Sequence, residues 1–99
     1  MNILFAGTTF NSSKILNFLH EVDEINVIGV ITKPDKPGKR GSNLIESPVS
    51  TAARNADINL FKPEQLDCID FKETISKLDV DILVVVAYGK ILPEWMLNI

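Results

Sequence analysis

The chain has 99 residues, 45% of them hydrophobic and 23% charged, enough for one compact domain with a filled core. A net charge of -3 argues against general nucleic-acid coating, and a single cysteine, Cys68, excludes an internal disulfide framework and fits a reducing compartment. With no secretory leader and no apolar run long enough to span a bilayer, the expectation is a cytoplasmic domain without membrane contact.

Asn2-Ile3-Leu4-Phe5-Ala6 is a short apolar run closed by Gly7, a first strand with a turn behind it. Asn11 or Ser12 can then N-cap a helix by accepting from free backbone amides, and Ile15, Leu16, Phe18, Leu19 and Val22 fall on one helical face. His20 stands near that helix's end, where a solvated cation is favoured. Ile25 to Thr32 is rich in β-branched residues and reads as a second strand, completing a βαβ unit. The turn holding Gly7, Thr8 and Thr9 lacks the three-glycine dinucleotide fingerprint. It reads two ways, as an anion cradle at a helix start or as a tight strand-to-helix turn.

Residues 33–46 form the longest irregular stretch, with two prolines and two glycines arguing against a regular element. Its first eight residues hold four of the ten bases and one of the thirteen acids, so elsewhere six bases face twelve acids. A basic loop on an acidic body suits either a local phosphate-backbone contact or a solvated loop. Ser47-Pro48 is a helix start, Ser as N-cap and Pro at the first helical position, followed by the slim apolar face Val49, Ala52, Ala53 and Ala56. Residues 58–61 predict a brief third strand stopped by Pro63. Phe71, Ile75 and Leu78 predict a third helix capped by Asp70. Asp79 and Asp81 bracket Val80 as a polar turn, too poor in ligands for a metal.

Ile82-Leu83-Val84-Val85-Val86 is the most apolar stretch and predicts a strand buried on both faces. It runs into an exposed turn carrying Tyr88, Gly89 and Lys90, at the sheet end where open α/β folds bind ligands. Residues 93–97 begin a further helix. The whole order predicts an α/β, Rossmann-like doubly wound parallel sheet with strand order 3-2-1-4.

Several of these stretches together resemble methionyl-tRNA formyltransferases. They are Phe5-Ala6-Gly7-Thr8, then Thr32-Lys33-Pro34-Asp35-Lys36-Pro37 with Arg40-Gly41 and Leu44, then Ser47-Pro48-Val49, and finally Val84 through Pro93. The resemblance covers residues 1–99 and implies the amino-terminal part of a Rossmann-like formyltransferase domain. It implies transfer of a formyl group from 10-formyltetrahydrofolate to the amino group of methionyl-initiator-tRNA in translation initiation, without a metal. Tyr88, Gly89, Lys90, Ile91 and Leu92 are then expected to bind folate, with the backbone of residues 90–92 facing the pterin. Lys36, Lys39 and Arg40 are expected to contact tRNA. Departures are visible as well. Thr9-Phe10-Asn11 replaces the usual Pro-Asp-Phe, and Ser42 and Asn43 stand where bases are common. The family's Asn-x-His occurs nowhere here, so no catalytic residue is expected within these residues, and the chain alone is expected to be inactive. Two other readings are a tRNA- or folate-binding remnant without catalysis and an amino-sugar formyltransferase, the latter disfavoured by residues 34–49.

Overall fold

The computed structural model describes residues 1–38 and 43–99. In chain order the elements are β1 (Asn2–Gly7), α1 (Phe10–Glu21), β2 (Asn26–Ile31), β3 (Lys36–Pro37), β4 (Leu44–Ile45), α2 (Pro48–Asn55), β5 (Leu60–Phe61), α3 (Ile69–Ser76), β6 (Ile82–Val86) and α4 (Glu94–Leu97). The main sheet has order β5-β2-β1-β6, and every pair is parallel. With the two hairpin strands β3 and β4 set aside, this is the order 3-2-1-4 expected from the sequence.

Alternation along β1 distributes its side chains between two helical layers, because successive residues of a strand face opposite sides. Phe5 joins Val30, Leu16, Val49 and Ala53 on the α1–α2 side, with Val84 and Val86 packed against them. Leu4 and Ala6 join Ile31, Leu66, Ile75, Tyr88 and Met96 on the other, beneath α3 and α4. A strand flanked by helices on both faces must be apolar at every position, hence the unbroken run from Ile3 to Ala6. Each fully buried Leu, Ile or Phe here contributes about 1.5–3 kcal/mol. An edge-to-face relay of rings, Phe61 to Phe71 at 6.2 Å and Phe71 to Trp95 at 5.9 Å, continues the second layer.

The observed elements correct several expectations. The N-cap of α1 is Thr9, whose side chain accepts from the Ser12 amide, rather than Asn11 or Ser12. Ser12 is drawn elsewhere: its hydroxyl donates to the Val86 carbonyl at 2.5 Å. Ser47 does cap α2, accepting from the Ser50 amide at 3.0 Å, with Pro48 at the helix start. Cys68, not Asp70, occupies the N-cap position of α3, without a side-chain cap bond, and its thiol is exposed. Part of the stretch expected to be irregular forms a small antiparallel ladder, Lys36 opposite Ile45 and Pro37 opposite Leu44, closed by the Gly38 amide donating to Asn43.

β6 is not buried on both faces. It is an edge of the described sheet, paired with β1 alone, and Ile82 and Val85 stay 42% and 44% exposed. Its start is held by Asp81, whose carboxylate accepts from the Asn2 amide, while the Asn2 side chain donates to the Asp79 carbonyl. Among the described residues no helix is long and apolar enough to cross a membrane.

Candidate functional site

The carboxyl ends of β1, β2 and β6 meet at one rim of the sheet, and three of the segments singled out in the sequence converge there. The turn after β6 is its centre. Ala87 and Gly89 both take positive φ, 48° and 94°, with Tyr88 between them. A non-glycine residue in that region carries about 1–2 kcal/mol of strain, which persists only where the surroundings fix it. The surroundings do so from three directions. The Thr8 hydroxyl donates to the Tyr88 carbonyl at 2.7 Å, Ser12 holds Val86, and the Tyr88 ring is sunk into the α3–α4 core.

That last contact corrects the expectation of an exposed aromatic ring. Tyr88 is 2% exposed, and its hydroxyl finds no hydrogen-bond partner among the described residues. Burial pushes the phenol up to about 12, since the phenolate would lose its solvation. Within the folate set of Tyr88, Gly89, Lys90, Ile91 and Leu92, Tyr88 can therefore offer main chain only. Gly89 is exposed on one side and closely covered on the other, where a Cβ would stand 2.6 Å from Lys33 Cε and Nζ. Lys33, the first residue of the basic loop, thus lies directly on the turn. Ile91 is almost fully exposed.

Residues 90–93 lie outside any helix or strand, and among the described residues no hydrogen bond engages the main chain of residues 89–92. Backbone N–H and C=O groups are obligatory hydrogen-bonding groups, so this edge is open to a planar ligand with matching donors and acceptors. Beside it is a cavity of about 310 Å³ lined by Gln65, Leu66, Asp67, Lys90, Ile91, Leu92 and Pro93. A larger one of about 590 Å³ opens next to it at the end of β5, sharing Gln65 and reaching Cys68 and Phe71.

Lys90 lines the smaller cavity, but its ammonium is already engaged. It donates to the carbonyls of Pro63 and Glu64, at 3.2 and 2.7 Å. Trp95 adds a bond from its indole N–H to the Leu66 carbonyl at 3.3 Å. Neither contact was legible in the sequence, because both join segments about 27–29 residues apart without any local spacing signal.

The turn of Gly7, Thr8 and Thr9 is tightly engaged. Thr8 is bonded to Tyr88, Thr9 to Ser12, and a Cβ on Gly7 would stand 2.8 Å from the Val86 carbonyl. With both hydroxyls engaged, an anion there would be held by main-chain amides alone. On the tRNA side, Lys36 is exposed in the hairpin, whereas Lys39 and Arg40 lie outside the described residues. The feet of the basic loop are pinned. Thr32 and Ser47 share a hydrogen bond of 2.7 Å, Asp35 pairs with Lys62 at 2.7 Å, and Glu46 pairs with Arg54. His20 sits exposed on the last turn of α1, among residues of a different surface. Among the described residues no three His, Cys, Asp or Glu side chains gather as a metal site would require.

Known proteins resemble this chain in sequence. The family described as formyl transferase matches residues 1–99. The chain belongs to the formyl transferase family. A methionyl-tRNA formyltransferase of Sulfurihydrogenibium sp. is 47% identical over 100 residues, covering all of this chain and 32% of that protein. That of Dictyoglomus thermophilum is 42% identical over 100 residues, covering all of this chain and 31% of its own length. One from Buchnera aphidicola is 42% identical over 98 residues, with 99% of this chain and 31% of the relative covered. The chain therefore spans about a third of the length of the curated relatives it matches.

Proposed function

We propose that these residues form the donor-binding edge and the tRNA-facing loop of an enzyme that formylates methionyl-initiator-tRNA from 10-formyltetrahydrofolate in the cytoplasm. The observation that supports this most is the uncommitted main chain of residues 89–92 at the sheet's carboxyl rim, with Lys33 of the basic loop packed onto it. The shape and chemistry of the adjoining cavity support a folate. A pterin is flat and edged with donors and acceptors, and the adjoining cavity offers a mixed wall of Leu66, Leu92 and Pro93 with Gln65 and Asp67.

In the reaction, the neutral methionyl amine attacks the formyl carbon, a carbon–nitrogen bond to the tRNA forms, and the bond to folate N10 breaks. Tetrahydrofolate leaves with a proton that the amine gave up. The residues here act before and around that step. The main chain of Lys90, Ile91 and Leu92 orients the pterin and so fixes where the formyl carbon stands. Lys36, Lys39 and Arg40 meet the phosphates of the acceptor stem and bring the amine to it. Such positioning lowers the barrier by making the encounter effectively unimolecular. The oxyanion donors and the proton acceptor belong to the Asn-x-His and Asp that the family resemblance implies, none of which matches a motif in these 99 residues.

The test uses the full-length gene product with labelled 10-formyltetrahydrofolate, offered methionyl-initiator-tRNA or a nucleotide-linked amino sugar. Formylation of the tRNA alone is expected, with tRNA affinity that falls as salt rises and a shallower salt slope for K39A/R40A. Formylation of the sugar, or tRNA affinity indifferent to salt, would overturn the reading.

A further inference from the structure

Lys90 stands at the position where a cation beside a folate would ordinarily be read as a contact for the donor's carboxylate tail. The geometry says otherwise. Its ammonium already bonds two main-chain carbonyls, those of Pro63 and Glu64, on the segment between β5 and α3. A lysine has three donor protons, and two of them are committed here. A few residues on, Trp95 bonds the Leu66 carbonyl from the same side. The segment so held supplies Gln65, Leu66 and Asp67, the wall facing residues 90–93 across the smaller cavity. On the opposite side of the turn, the Thr8 hydroxyl holds Tyr88. The turn is therefore clamped between the β1–α1 turn and the β5–α3 segment, and Lys90 is the charged half of that clamp.

From this we infer that Lys90 is a positioning residue: through its ammonium it fixes the spacing between the pterin-facing edge and the 64–67 wall, and does not touch the donor. The inference rests on the folate reading above and assigns a side-chain role that reading lacks. A bond from a charged donor to a carbonyl is stronger than a neutral one, so its loss should loosen both walls together.

The experiment compares K90M and K90R with the parent in the full-length gene product, using two donors. One is 10-formyltetrahydrofolate and the other its pteroate analogue, which lacks the glutamate tail. K90M is expected to raise KM about tenfold for both donors alike with kcat within about twofold, the pattern of lost uniform binding. K90R, which keeps donors for both carbonyls, is expected to restore KM. In the ligand-free protein, K90M should speed hydrogen exchange at the amides of residues 64–67 and 91–92 together. A KM rise confined to the glutamate-bearing donor, with exchange unchanged, would show that the ammonium binds the tail and would overturn the inference. If the parent protein uses no folate, the functional reading fails instead, and the exchange measurement alone decides. Faster exchange at both segments supports the clamp, and unchanged exchange refutes it.

Discussion

Replacing Gly7 by Ala probes the junction on which the whole rim depends. Gly7 ends β1, pairs with Val86 of β6, and faces the first turn of α1. An added Cβ would stand 2.8 Å from the Val86 carbonyl, 2.9 Å from Phe5 Cε1 and 2.9 Å from Ser12 Cβ. The first neighbour is main chain in a paired strand, and the other two belong to side chains with almost no exposure. None is the free end of a flexible side chain. Relief requires the end of β6 to move away from α1, which breaks the Ser12 bond to the Val86 carbonyl. Overpacking of this kind costs about 1–3 kcal/mol, and the lost hydrogen bond adds about 1 kcal/mol. The sum, about 2–4 kcal/mol, predicts native-state hydrogen exchange roughly 30- to 1,000-fold faster at the amides shared by β1 and β6. Exchange in G7A within about threefold of the parent would refute the packing account of this glycine.

Tyr88→Phe removes a hydroxyl that is buried without a partner among the described residues, so it should stabilise by about 1 kcal/mol in urea unfolding, and a loss of that size would contradict the burial reading. The same variant carries a pH signature. The folded phenol is raised to about 12 from its usual 10, so between those values the folded chain keeps a proton that the unfolded chain releases. Stability from this group is full below pH 10 and falls by about 1.4 kcal/mol per pH unit towards pH 12. Y88F should lack that decline, and an identical alkaline profile in both proteins would refute the assignment. Ser47→Ala removes the cap of α2 and the link to Thr32, with an expected cost of about 1 kcal/mol, while Ser47→Thr should restore most of it. Equal stability of S47A and the parent would show that the cap is idle.

How much of this could be read before the fold was known varies from residue to residue. Ser47-Pro48 was legible because a cap and its helix are adjacent in sequence. The strands were legible because β1, β2 and β6 are apolar runs, whereas the half-exposure of β6 was not, since it comes from its place at an edge of the described sheet. Thr9 was missed as a cap because Thr8, Asn11, Ser12 and Ser13 beside it also have suitable side chains, and Ser12 is drawn to Val86, 74 residues away. The hairpin of β3 and β4 was missed because each strand is two residues long and one of the four is a proline. Tyr88 was misplaced for a geometrical reason. Alternation predicts side-chain direction only while the backbone stays extended, and the positive φ at Ala87 ends the strand and turns the next ring into the core. On α1 the buried face is Ser12, Ser13 and Leu16 rather than the whole apolar stripe, so Ile15 and Phe18 remain exposed, Phe18 standing about 200° round the helix from Leu16. Of the candidate site, the segments were legible and the bonds joining them were not.

The central claim is that the main chain of Lys90, Ile91 and Leu92 is the pterin-facing edge. It is tested most directly by hydrogen exchange on the full-length gene product with and without saturating 5-formyltetrahydrofolate. The account predicts marked slowing at the amides of residues 90–92 and no change in α2. Bound folate that leaves those amides exchanging as fast as before would contradict it.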